Sequence, residues 1–289
     1  MQSTFLFLLA VTLMSITTLH AEQTKKPLQP LFISHRGESK DAPENTMGAY
    51  KLSQERNVDG FELDAILTLD RKEIFCFHDD NMKRCTGVEK RSREIQSWDE
   101  IKDFNAGAWK KKPEYAEEKI PTLKQALALA KRERPIFIHA YFNTNALPRF
   151  KEILSELPNV TKETIVVISF DGAIFKGVKE ILPGCKTYLL SSMKIDKTTG
   201  KFKKTAAQLV EQAKKHGADG ISVEGAKGLD PAFFKTIQNA GLSTHVWTID
   251  DFDLAKHFAD MGVDSITSNC AAELMKAFRN TQSSMSGSL

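Results

Sequence analysis

Residues 61–80, FELDAILTLDRKEIFCFHDD, hold Glu62, Asp64, Asp70, His78, Asp79 and Asp80 among apolar side chains of the kind that fill strands. Residues two apart share one face of a strand, so Glu62 and Asp64 point the same way, roughly 6.5–7 Å apart along it. Flanking Phe61, Leu63, Ile66 and Leu67 argue that this strand is buried. Two carboxylates on one buried face repel unless a cation lies between them. The alternative is an exposed strand with each acid paired to a lysine. Histidines end two further apolar runs: His35 closes LFISH and His78 closes EIFCFH. A lone histidine at a strand end is more often structural, but a pair beside two acids offers a general base and a general acid. Arg36 presents a planar fork suited to a phosphate, or else a salt bridge to Glu44 or Asp64. Trp247 belongs either at a site mouth or in the core.

Strand ends that carry chemistry imply a frame that gathers them. Nine short β-rich runs alternate with helical stretches: LFISH, DGFELD, EIFCFH, PIFIHA, IVVISF, TYLL, DGISVE, THVWTI and DSITS. The spacing predicts a helix over TLKQALALAKRE behind a Thr122 cap, and another over LDPAFFKTIQNAG with Asp230 as N-cap and Pro231 at its first position. Gly217, Gly241 and Gly262 each fall between a helix and the next strand, the grammar of parallel βα units. No phosphate-binding glycine loop follows the first strand, which favours a TIM-like (β/α)8 barrel over a doubly wound sheet. Nine candidates are one more than that barrel needs. The stretch from His78 to Pro121 is too long and polar for a simple connection, so residues 81–120 are expected to form an insertion after an early strand, over the barrel top.

Forty basic residues face thirty-seven acidic ones in 289, and no basic block stands out, which argues against nucleic acid as a partner. Residues 1–21 contain an apolar run from Phe5 to about Ile16 and end at Ala21, as a secretory signal peptide does. A secreted or periplasmic protein is expected, with the barrel over 22–280 and a disordered tail at 281–289. No other apolar run approaches the ~18 residues of a membrane span, so no stable membrane insertion is expected. Cys76, Cys85, Cys185 and Cys270 lack metal-ligand spacing. Export permits a Cys76–Cys85 disulfide, and buried free thiols are the alternative.

HRGESKDAPENT at 35–46, FELDAILTLD at 61–70 and FHDDNMKRCTG at 77–87, in that order and spacing, resemble the glycerophosphodiester phosphodiesterase family. NAGAWKKKPEYAEEKIPTLKQAL, ISF at 168–170, HVWTID at 245–250 and GVDSITS at 262–268 extend the resemblance to about Ser268. It implies a TIM-like barrel that hydrolyses small glycerophosphodiesters to glycerol 3-phosphate and an alcohol, using a divalent metal cation such as Mg, Ca or Mn. On that reading His35 and His78 are the acid-base pair, Arg36 a phosphate ligand, Glu62 and Asp64 metal ligands, and Glu44 a member of the same mouth. One departure stands out: the family's usual Glu-x-Lys after the insertion reads His139-x-Tyr141 here, removing an anionic ligand and a positive charge. Ser268-Asn269 replaces the usual Thr-Asp. Either His139 approaches the cation and turns the site toward a transition metal, or it only hydrogen-bonds nearby. Two other functions stay open: a phospholipase or lyase on the same barrel that makes a cyclic phosphate, and a phosphodiester-binding protein that has lost catalysis.

Overall fold

The computed structural model describes residues 29–286, with side chains through residue 280. The leader expected at 1–21 lies outside them, as does the tail expected from 281, apart from helical backbone to Ser286. Among the described residues, nine strands form one sheet: β1 (Leu31–Ser34), β2 (Gly60–Leu67), β3 (Ile74–Cys76), β4 (Ile136–Ala140), β5 (Ile165–Ser169), β6 (Lys186–Ser191), β7 (Gly220–Glu224), β8 (Ser243–Trp247) and β9 (Ser265–Ser268). Eight are parallel, and β1 closes the barrel by pairing with β9 on one side and β2 on the other.

The surplus strand is β3, antiparallel to the overhanging end of β2, with Ala65 opposite Cys76 and Leu67 opposite Ile74. EIFCFH is therefore not a barrel strand, and His78 does not end one. The link between β2 and β3 is too short for a crossover helix, so only a hairpin is available. That return carries the chain back to the level of Asp64, where Phe77 N donates to Asp64 O at 3.1 Å.

Alternation along each strand sorts side chains into two layers. Leu63, Ile138, Val167, Ile221, Val246 and Ile266 face outward and pack against the helix residues Phe150, Phe175, Leu209, Phe234 and Phe258. Ile33, Phe137, Val166, Ile168, Tyr188 and Leu190 fill the barrel interior. Gly217, Gly241 and Gly262 sit at φ +65°, +77° and +71°, the left-handed turn that ends a helix and releases the next strand. Asp230 caps its helix by accepting from Phe233 N at 2.8 Å. The helix behind Thr122 runs only from Leu123 to Leu127. Leu129 N and Ala130 N then donate to Ala126 O and Leu127 O in tighter turns, and a Lys131–Arg134 bridge turns the chain into β4.

Between β3 and that helix the chain forms one short helix, Lys83–Thr86, and four three-residue 3₁₀ turns. They enclose a second apolar cluster of Phe75, Phe77, Met82, Cys85, Ile95, Ile101, Ala106 and Ile120, with Ile66 from β2. Trp98, Phe104, Trp109 and Tyr141 pack against it. All four cysteines are buried free thiols, so the Cys76–Cys85 disulfide does not form.

Candidate active site

The turn after β1 sets the first charges. Arg36 and Gly37 both adopt positive φ, 55° and 79°. A Cβ on Gly37 would lie 2.6 Å from the backbone of Ala49, so the turn is both left-handed and tightly covered. It aims the Arg36 N–H at Glu62 Oε2, 3.0 Å away. The Arg36 side chain meets Glu44 at 2.6 Å through Nη1, and its Nε lies 3.2 Å from Asp64 Oδ2. Both salt bridges open to Arg36 in the sequence thus exist, and they fix its guanidinium at the mouth.

Glu62 and Asp64 are 3% and 1% exposed, which removes the exposed, lysine-paired alternative. Asn45 clasps Asp64, with Nδ2 donating to Oδ2 at 2.8 Å and Oδ1 accepting from Asp64 N at 3.1 Å, while Tyr50 donates to Asn45 Oδ1. His139 is the cross-strand neighbour of Asp64 on β4, and its Nδ1 lies 3.0 Å from Asp64 Oδ1. Glu62, Asp64 and His139 bring one ligand atom each within 4.8 Å of one another.

Charge shows what this cluster lacks. Four carboxylates, Glu44, Glu62, Asp64 and Asp79, are interleaved with two guanidiniums, Arg36 and Arg84, the latter bound to Glu44 and Asp79. With all four ionised, two negative charges would remain, and a buried ion without a partner costs several kcal/mol. Burial and the neighbouring Asp64 push the Glu62 carboxyl well above its ordinary range. Burial would raise Asp64 too, but Arg36 and His139 outweigh it and hold Asp64 low. Two carboxylates and an imidazole, set among more acids than guanidiniums, fit a divalent cation, which would let Glu62 ionise.

The histidines are held in different ways. Asn269 Nδ2 donates to Asp250 Oδ2 at 2.7 Å, which turns Asn269 Oδ1 toward His35 Nδ1 at 2.7 Å. His35 therefore carries its proton on Nδ1 and keeps a lone pair on Nε2. Burial, then the adjacent Arg36, pushes His35 down to about 4, so it is neutral near pH 7. His78 Nδ1 lies 2.9 Å from Asp79 Oδ1, and Arg84 Nε holds Asp79 at 2.6 Å. Tyr141 packs on His139 with ring centroids 4.0 Å apart, and Arg93 of the insertion lies over the Tyr141 ring at 4.8 Å.

Opposite the charges, Ile168, Phe170, Leu190 and Trp247 line the same cavity of about 250 Å³. Phe170 is 50% exposed and meets Trp247 edge-on at 6.1 Å. Of the residues singled out in the sequence, His35, Arg36, Glu62, Asp64, His78, His139 and Trp247 share this cavity. Glu44 stands behind Arg36 rather than in the lining. The sequence assigns no role to Asn45, Asp79, Arg84, Arg93, Phe170 or Asp250, nor does it show the bond from Asn269 to His35. Asp79, directly after His78, had a local signal, whereas the Asp250–Asn269 relay joins residues that only the closed barrel brings together.

The fold and site define a (β/α)8-barrel enzyme with its acids, imidazoles and guanidinium at the carboxyl ends of the strands. Residues 35–272 match the glycerophosphoryl diester phosphodiesterase family, and the chain belongs to it. A glycerophosphodiester phosphodiesterase of Caldanaerobacter subterraneus subsp. tengcongensis is 28% identical over 268 residues, 87% of this chain and 99% of the relative. A human glycerophosphodiester phosphodiesterase 1 is 30% identical over 181 residues, 60% of this chain and 53% of that protein. Among solved structures, an Oleispira antarctica phosphodiesterase in complex with its product sn-glycerol-3-phosphate superimposes with TM-score 0.74 at 22% identity, covering 87% of this chain and 97% of that one.

Proposed function

We propose that this chain hydrolyses glycerophosphodiesters to glycerol 3-phosphate and an alcohol, with a divalent cation held by Glu62, Asp64 and His139. What supports the reading is the convergence of that trio, Arg36 and two separately oriented histidines in one cavity. When bound, the cation supplies stabilisation of the charge that builds on the phosphoryl oxygens. Arg36, anchored between Glu44 and Asp64, adds a fixed positive charge on the phosphate. His35 Nε2 takes the proton of the attacking water as the new P–O bond forms. Protonated His78 gives its Nε2 proton to the alkoxide as the old P–O bond breaks, with Asp79 as the anionic partner of the imidazolium. The apolar wall of Ile168, Phe170, Leu190 and Trp247 receives the alcohol portion.

The direct test is glycerophosphocholine turnover followed by ³¹P NMR. Glycerol 3-phosphate that appears only with a divalent cation, and not with chelator, is the expected result. An accumulating cyclic phosphate would replace hydrolysis by a lyase reaction, and no turnover with any cation would overturn the reading. Imidazole favours transition metals over calcium. Metal-free protein titrated with calcium, magnesium, manganese and zinc should therefore prefer a transition metal, and His139→Ala should lose the preference. Full activity with calcium alone, equal in both proteins, would remove His139 from the metal site.

A further inference from the structure

After β6, residues 194–204 read KIDKTTGKFKK, five lysines against one aspartate. The structure folds them into a short hairpin. Ile195 bridges antiparallel to Phe202, Lys203 N donates to Lys194 O at 2.9 Å, and Asp196 N donates to Lys201 O at 2.8 Å. Asp196 Oδ1 accepts from Thr198 N and Thr199 N, so the only acid of the loop is spent on its own turn. All five lysines are exposed, and among the described residues none joins an ion pair. Phe202 packs inward on the core while Ile195, beside it, is 54% exposed. Nearby Glu224 is also engaged, accepting from Met193 N at 3.1 Å.

The hairpin leaves the carboxyl end of its strand, and so stands on the face of the barrel that holds the cavity. Five large apolar side chains are exposed among the described residues. Only Leu31, at the start of β1, lies at the opposite end of the barrel. Leu69 is on the β2–β3 hairpin beside the exposed Arg71 and Lys72, Val88 is in the insertion, Phe170 ends β5, and Ile195 tips the lysine hairpin. Unpaired lysines around protruding aliphatic and aromatic groups match an interfacial lipid surface, with cations among anionic headgroups and apolar tips below them. A nucleic-acid groove would instead set aromatic platforms along the basic track.

We propose that the 194–204 hairpin docks the barrel mouth onto an anionic lipid surface. Binding requires no turnover and so can be measured whether or not the chain hydrolyses glycerophosphodiesters. The test is co-sedimentation of the purified chain with vesicles of phosphatidylcholine alone, or of phosphatidylcholine with one phosphatidylglycerol in three. Binding is expected only to the anionic vesicles, weakening steeply with salt. Each lysine near such a surface contributes about 1 kcal/mol, so alanine at Lys194, Lys197, Lys201 and Lys203 should lower partitioning by about a hundredfold or more. Ile195→Ser should lower it severalfold, and proportionally most at high salt, where the lysines are screened. An unchanged thermal midpoint would show that the variants remain folded. No binding, equal binding to neutral vesicles, unchanged binding after lysine removal, or full competition by duplex DNA at matched charge would each overturn the proposal.

Discussion

The two arcs of the barrel mouth are built on opposite plans. Along β1, β2 and β4 nearly every functional atom is restrained by another: Asp64 by Asn45, Arg36 and His139, His35 by Asn269, and Arg36 by Glu44. Along β5, β6 and β8 the lining is Ile168, Phe170, Leu190 and Trp247, joined only by packing, and Phe170 is half exposed. Charge that must stabilise a transition state has to be preorganised, because reorientation during the reaction would consume the gain. An apolar wall that only accommodates a substituent needs no such restraint and can change freely. On the proposed function, changes in the first arc should act on rate and changes in the second on substrate choice.

The largest break in this contrast comes from Asp64→Ala. It frees Arg36, Asn45 and His139 together and removes a carboxylate from the metal trio. Turnover of glycerophosphocholine should fall by about 10³ or more, with the circular dichroism of the barrel retained. Near-native turnover in the folded variant would show that the restrained arc is not the reaction centre.

His35→Ala should cost about 10²–10⁴ in kcat. Asn269→Ala leaves the ring present but loosens it, so kcat should fall about tenfold with little change in KM. Its pH–rate profile should shift, which a purely structural role for Asn269 would not produce.

His245 lies on the cavity floor between the arcs, stacked on Phe137 and hydrogen-bonded to Ser265 and Thr267. Burial pushes it down to about 3. Between about pH 6.5 and pH 3 the unfolded chain binds a proton that the folded one refuses, so stability is lost as pH falls through that window. His245→Gln should make this acid loss shallower, as read from urea midpoints at neutral and mildly acidic pH. Equal slopes in the two proteins would mean that the ring is not held neutral.

The smallest effect belongs to the apolar arc. Phe170→Ala should raise KM severalfold for substrates with a bulky alcohol and leave kcat, and small substrates, nearly untouched. A kcat loss there would erase the division between the arcs.

Much of the frame could be read from residue order. All nine strands appear where apolar runs are bounded by turn residues, and the helix-to-strand glycines marked the repeat because left-handed turns demand them. Composition does not mark the surplus strand, since EIFCFH reads like a barrel strand; the legible signal was its link to β2, too short for a crossover helix. Glu62 and Asp64 were visible because period-two spacing puts both on one face. Asn45, Asn269 and Asp250 were not, because each acts through a partner on another βα unit, and Asn269 reaches His35 only where β9 pairs with β1. The lysine hairpin does not read as a basic block because its charges are interleaved with Ile, Asp, Thr, Gly and Phe rather than contiguous.

The insertion has a small core of its own, built on short turns rather than long helices, and His78, Asp79, Arg84 and Arg93 all depend on it. Segments of this kind open locally at lower free energy than the sheet beneath them. On the proposed function the acid half of the proton relay is mounted on this second cluster, which is expected to open before the barrel does. Mild denaturant or heat should silence the enzyme before its secondary-structure signal changes, and refolding of that unit alone should restore it.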